Sequence, residues 1–194
     1  NKSISFSRAN INSGANADKY YSYCEGKARF GPVLDNSPTI YAQTFSGTTP
    51  FHFLRMDGAV QSVTAHNSNF NLPPEWNIGR FLGTNPHGLD GKIVELIAFN
   101  SNLNTTQRII IENHLASKYA LTLTSNDKFA HDVAHGNDVT GIGQESATDN
   151  HTDARGASIV RISAANDLED AEYMLWGHDA GGLAAETGSG NVPN

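Results

Sequence analysis

Polar and apolar positions alternate through Ser3-Ile4-Ser5-Phe6-Ser7, the period of a strand with one buried face. Lys19-Tyr20-Tyr21-Ser22-Tyr23-Cys24 is aromatic-rich and predicts a second strand, after a loop from Asn10 to Asp18. Thr39–Phe45 and Phe51–Met56 predict two more, joined by a turn at Ser46–Pro50. Asp57-Gly58 then predicts a tight hairpin, because both residues tolerate positive φ, with Ala59–Thr64 as the returning strand. Asn67–Pro74 reads as a loop, Trp76–Gly79 as a short strand, and Gly83–Gly91 as a second loop. Lys92-Ile93-Val94-Glu95-Leu96-Ile97-Ala98-Phe99 carries the strongest strand pattern in the chain. In it Glu95 shares a face with Ile93 and Ile97, so its carboxylate needs a hydrogen-bond partner or a sheet edge.

One helix is expected. Asn104-Thr105-Thr106-Gln107 has the form of a capping box, in which Asn104 accepts from the Gln107 backbone and Gln107 reaches back. Ile111, Leu115 and Tyr119, with Ile110 beside them, predict the buried stripe. Arg108, Glu112 and Asn113 predict a solvated face, making this a surface helix. From Ser125 to Asp153 large apolar residues are scarce and Asp, His, Asn and Gly dominate, a change of character that suggests the start of a second, smaller unit. Two further strands are expected at Ser158–Ser163 and Glu172–Gly177.

Composition narrows the class. The 194 residues include 18 Gly and only 17% charged residues, which suits a turn-rich β protein. The formal charge is −7 with no Lys/Arg cluster, which argues against nucleic acid and against anionic membrane surfaces. No run of about 18 apolar residues is present, so membrane insertion is not expected. Cys24 is the single cysteine, so no intrachain disulfide framework exists, and no Cys-His signature surrounds it. A first residue of Asn and a loop-like last stretch, Gly188–Asn194, suggest a piece of a longer protein.

At Pro38–Tyr41, Met56-Asp57-Gly58, Gly79-Arg80-Phe81 and Asp90–Ile97 the chain resembles laminin-G-like modules of the concanavalin-A-like jelly-roll superfamily. The helix closing on Leu115–Leu121 matches a version common in large bacterial secreted and cell-surface proteins. The resemblance covers residues 3 to about 123 and lacks the strands with which such modules usually begin. His131–Ala134 with Thr140–Gln144, and later Tyr173–His178, resemble a β-rich domain that often follows, although His135–Asp138 departs from its compact motif. The resemblance implies an all-β antiparallel sandwich (jelly roll) with one surface helix over residues 1–124, lacking its first strands, and the start of a second, truncated β-rich domain over 125–194. It also implies an extracellular or bacterial cell-surface location beside other domains of the same large protein.

The candidate chemistry is modest. Glycoside hydrolysis needs two carboxylates, about 5–5.5 Å or about 6.5–9.5 Å apart. The strongest strand offers Glu95 alone, and Glu169-Asp170-Ala171-Glu172 lacks an alternating triad, so no enzyme is expected. Binding residues are sought in the loop before that strand, at Asn85, His87 and Asp90, and at Trp76 after Pro73-Pro74-Glu75. Trp76 is either a core residue or a stacking platform for a sugar. Asp90 is either a turn former or, as the resemblance implies, a calcium or ligand group. His131, Asp132, His135, Asp138, His151 and Asp153 form the densest set of potential metal ligands. The Gly/Asn-rich context of His131 and His135 argues against a helix that would bring their rings together. Hard oxygen donors favour calcium, with Asp90, Asp132 and Asp138 as its candidate ligands. The expected function is non-catalytic adhesion to a glycan or peptide, with calcium as a candidate cofactor. A structural spacer in an adhesin or filament is the alternative, and a polysaccharide-active glycosidase or lyase the third.

Overall fold

The computed structural model describes residues 4–8, 19–24, 27–33, 35, 37–45, 52–64, 80–81, 87–88, 91–156 and 160–179. Three strands, β1 (Ile4–Arg8), β2 (Lys19–Cys24) and β3 (Lys27–Val33), form an antiparallel sheet in that order. The first two lie where the alternation predicts them. The third has no such signal, because Gly31 and Pro32 interrupt its apolar pattern.

A second sheet follows, with β4 (Tyr41–Phe45), β5 (His52–Met56) and β6 (Ala59–Thr64) in sequential order. Its β5–β6 hairpin turns at Asp57 and Gly58, with φ of 47° and 81°, as an Asp-Gly pair permits. The Asp57 carboxylate accepts from the Ile40 amide at 2.8 Å, and the Asp57 amide donates to the Ile40 carbonyl at 3.0 Å. The turn is thus tied to the entry of β4. Leu54 and Met56 are buried on one face of β5, where both approach Gly31 of β3. The two sheets meet there.

A short pair, β7 (Arg80–Phe81) and β8 (His87–Gly88), occupies part of the stretch that the sequence reads as loop. The strand expected at Trp76–Gly79 lies outside the described residues. Helix α1 (Thr105–Tyr119) begins at the capping box, with both Asn104–Gln107 bonds formed. It is followed by a single helical turn, α2 (Asp132–His135). The turn brings the rings of His131 and His135 edge to face at 6.4 Å, against the sequence reading. Then come β9 (Asn137–Ser146), β10 (Asp149–His151), β11 (Ala154–Gly156), β12 (Val160–Ile162) and β13 (Glu172–His178). They make a sheet ordered β10-β9-β13 and a pair β11-β12. The region 125–153 thus carries the single turn α2 and the strands β9 and β10. The architecture is mostly β, in small antiparallel sheets with one long helix, and the described strands form no closed sandwich.

Two further corrections matter. Lys92–Phe99, the strongest strand pattern, is in no sheet among the described residues. It runs exposed, with Val94 75% and Phe99 50% accessible. Alternation records two apolar faces, but a strand exists only once another backbone pairs with it. Glu95 does find partners, accepting from the Tyr119 hydroxyl at 2.8 Å and from Lys118 Nζ at 3.1 Å.

Helix α1, in turn, is buried where its polar residues lie. Thr106, Glu112 and Asn113 are 0, 2 and 1% exposed, alongside Ile109, Ile110 and Ala116. The expected stripe of Ile111, Leu115 and Tyr119 is only half-buried. Asn113 can be buried because its side chain is bonded on both sides. Its amide donates to the Ile109 and Asn126 carbonyls, and its oxygen accepts from the Lys128 amide, each at 2.8 Å. One side of α1 packs on β9 and β10, while Ala116 joins Ile40 and Leu123 in a small core beside the β5–β6 turn. The helix is thus packed between two β elements.

Candidate functional site

The packing of α1 on β9 leaves a cleft of about 520 Å³ lined by Ile111, His114, Asp138, Val139, Thr140, Arg155 and Gly156. Helical spacing puts Ile111 and His114 on one side of α1, one turn apart. Strand β9 supplies the facing wall, and β11 supplies Arg155 and Gly156. Four different polar groups therefore converge from three elements.

The His114 Nδ1 lies 2.8 Å from the Val139 carbonyl oxygen. A carbonyl can only accept, so Nδ1 carries a proton there, and in the neutral tautomer this leaves Nε2 as an acceptor. Val139 is itself 2% exposed and anchors that carbonyl in the core. Asp138 has φ of 50°, a left-handed conformation that an aspartate tolerates better than most residues. Its carboxylate lies 3.0 Å from His178 Nε2 on β13. The Asn137 amide donates to the His178 carbonyl at 3.2 Å, which fixes the same corner of the sheet.

Gly156 makes the end of the cleft possible. A Cβ there would stand 2.6 Å from Trp176 Nε1 and 2.8 Å from Thr140 Cγ2. Thr140 and Trp176 are register partners across β9 and β13, so both press against the same glycine. Trp176 Nε1 is buried and makes no hydrogen bond among the described residues. An unused N–H beside a polar cleft is a donor that a ligand or water could satisfy. Together the lining offers a carboxylate, an imidazole acceptor, a hydroxyl and a guanidinium, with a small apolar surface at Ile111.

The residues singled out from the sequence are distributed differently. Trp76, Asn85 and Asp90 lie outside the described residues. His87 lies in β8, with its backbone opposite Phe81. Asp132 accepts from the Val133 amide next to it, whereas Asp138 faces His178 in the cleft. Asp153, another of the potential metal ligands, accepts from the guanidinium of Arg161, and Asp149 accepts from the amides of Thr105 and Thr106. Among the described residues no three His, Cys, Asp or Glu side chains come together as a metal site.

Of the polar cleft residues, Asp138 had a sequence signal as a candidate metal ligand, and Thr140 lies in the Thr140–Gln144 stretch that carries part of the resemblance. His114 and Arg155 belong to no local motif, and only folding gathers the four. Compared with known protein families, with curated proteins and with solved structures, the chain matches none.

Proposed function

We propose that this chain is a non-catalytic binding module that recognises a glycan through the cleft between α1, β9 and β11. The observation that carries the reading is the convergence of Asp138, His114, Thr140 and Arg155 on one open depression. Sugar hydroxyls both donate and accept, and this lining pairs acceptors at Asp138 and His114 with a donor at Arg155. Thr140 serves as either. Asp138 is the one carboxylate in the lining, and retaining or inverting hydrolysis uses two. In this reading the cleft lies where the helix of a jelly-roll-like module meets the unit that follows it, in an extracellular or cell-surface protein. Its second β-rich unit begins near residue 125, and calcium is a candidate aid to binding in the loop at Asp90.

The test is a glycan array probed with the wild-type chain, with Thr140→Val and Asp138→Asn variants, and with Trp76→Ala as control. Wild type binds a defined glycan subset, and each cleft variant weakens that binding about 10-fold or more, as loss of a buried hydrogen bond does. Loss with Trp76→Ala alone moves the site to the loop containing Asn85, His87 and Asp90. A blank array overturns the glycan reading. Repeating the array with a chelator tests calcium.

A second reading, a structural spacer in a surface assembly, is favoured by a separate observation. The exposed stretch Lys92–Phe99, in no sheet among the described residues, has the β-branched, apolar character of a segment that pairs with another strand.

A further inference from the structure

Glu112 is buried at the side of α1 that faces the β5–β6 hairpin, one turn before Ala116, which packs on Ile40. Both of its carboxylate oxygens are buried, and neither has a hydrogen-bond partner among the described residues. Arg108, one turn earlier, has its Nε buried and likewise unpartnered. Across the junction stand Arg55 on β5, with its guanidinium over the Phe53 ring at 5.3 Å, and Asp57 in the hairpin turn. These are the charged groups that face Glu112 among the described residues. The two arginines attract its negative charge, whereas Asp57 repels it. A carboxylate removed from water and given no donor loses hydration that charge attraction at a distance replaces only in part.

We propose that Glu112 makes the junction between α1 and the β4–β6 sheet a pH-responsive joint, tightened by acid and loosened as the carboxyl ionises. The proposal is independent of the cleft. Its physical basis is that a neutral carboxyl costs less to bury than an anion without donors. Burial pushes the Glu112 carboxyl above its ordinary range, and the arginines offset this only partly. A group raised in the folded state stabilises it fully below the unfolded value. That contribution disappears as pH rises through the folded value.

The joint is tested by thermal unfolding of wild type and Glu112→Gln between about pH 4 and about pH 8. Gln keeps the shape and removes the ionisation. The two melting temperatures nearly coincide at the acid end, and the variant gains on wild type as pH rises, by roughly 3 °C at neutrality. Comparing the pair cancels every other titrating group. A constant gap, or a wild type that gains on the variant with rising pH, overturns the proposal, since either means that the arginines hold the anion well enough. Should the variant not fold, carbon-13 titration of the Glu112 carboxyl in wild type decides. A midpoint clearly above the ordinary glutamate value near ~4.3 supports the joint, and one at or below it overturns it.

Discussion

Ala120 ends α1 in the left-handed region, with φ of 51° and ψ of 47°. The Leu121 amide donates to the Ala116 carbonyl at 2.8 Å and the Ala120 amide to that of Ser117 at 3.4 Å, the paired closure of a Schellman end. Glycine is the usual residue at this position because a Cβ costs about 1–2 kcal/mol there. Ala120→Gly should therefore raise stability by roughly 0.5–1 kcal/mol after the extra freedom of the unfolded glycine is counted. Urea unfolding checks this, and a midpoint that does not rise refutes the strain. A residue-scale signal was available for the other end of the helix. The Asn104–Gln107 box is a local motif, and it forms. No local signal told that Glu112 and Asn113, two ordinary surface residue types on a helix, would be among its most buried members.

At the scale of elements, α1 is capped by another element as well as by its own sequence. Asp149, opening β10, accepts from the backbone amides of Thr105 and Thr106 at 3.0 and 2.9 Å. The Thr106 hydroxyl donates to the Asp149 carbonyl at 2.8 Å and accepts from the Glu145 amide at 3.2 Å. Helix and hairpin thus satisfy one another's exposed backbone groups. Burial works against ionising Asp149, but the Thr106 and Thr105 donors outweigh it and hold the carboxyl below its usual range. Its stabilisation is present above the ordinary aspartate value and is lost as pH falls through the lower folded value, the opposite sign from Glu112. Asp149→Ala should cost about 1–2 kcal/mol at neutral pH, the range of a lost helix cap. The cost should shrink below about pH 4. Denaturant titrations at the two pH values check both statements, and an undiminished cost in acid counts against the ionic cap. Lys92–Phe99 teaches the converse lesson. It carries the strongest strand pattern in the chain, yet pairing is decided by what lies alongside.

For the whole molecule, the link that brings α1 and the hairpin together is the stretch after the helix. The Thr124 amide and hydroxyl donate to the Asp57 carbonyl at 2.8 and 3.0 Å, and the Ser125 hydroxyl donates to that of Gly58 at 2.9 Å. Gly58 is buried under this strap, and a Cβ on it would collide with the Ser125 carbonyl oxygen. Its φ of 81° also disfavours any side chain. Gly58→Ala should lower stability by about 2 kcal/mol or more, combining backbone strain with displacement of the strap. Thermal unfolding supplies the number, with amide exchange at Thr124 showing whether the strap opens. A variant as stable as wild type, with Thr124 protected, would mean that the strap is not what closes this junction.

What the sequence by itself determined was whatever depends on residues a few positions apart. The Asp57-Gly58 turn, the strands flanking it and the helix cap belong to that class, because turn geometry and capping bonds close within one local segment. Strand β9 escaped notice because Gly141 and Gly143 weaken its propensity, while Leu175 and Tyr173 of β13 supply its register. The cleft was illegible for the same reason. Asp138 stood out as one of a cluster of potential metal ligands, and only tertiary structure put it opposite His178 and beside His114, Thr140 and Arg155. Burial of Glu112 was likewise decided by tertiary contact. Hydropathy describes a residue's own affinity for water, whereas the backbone and side-chain groups that replace that water come from distant parts of the chain.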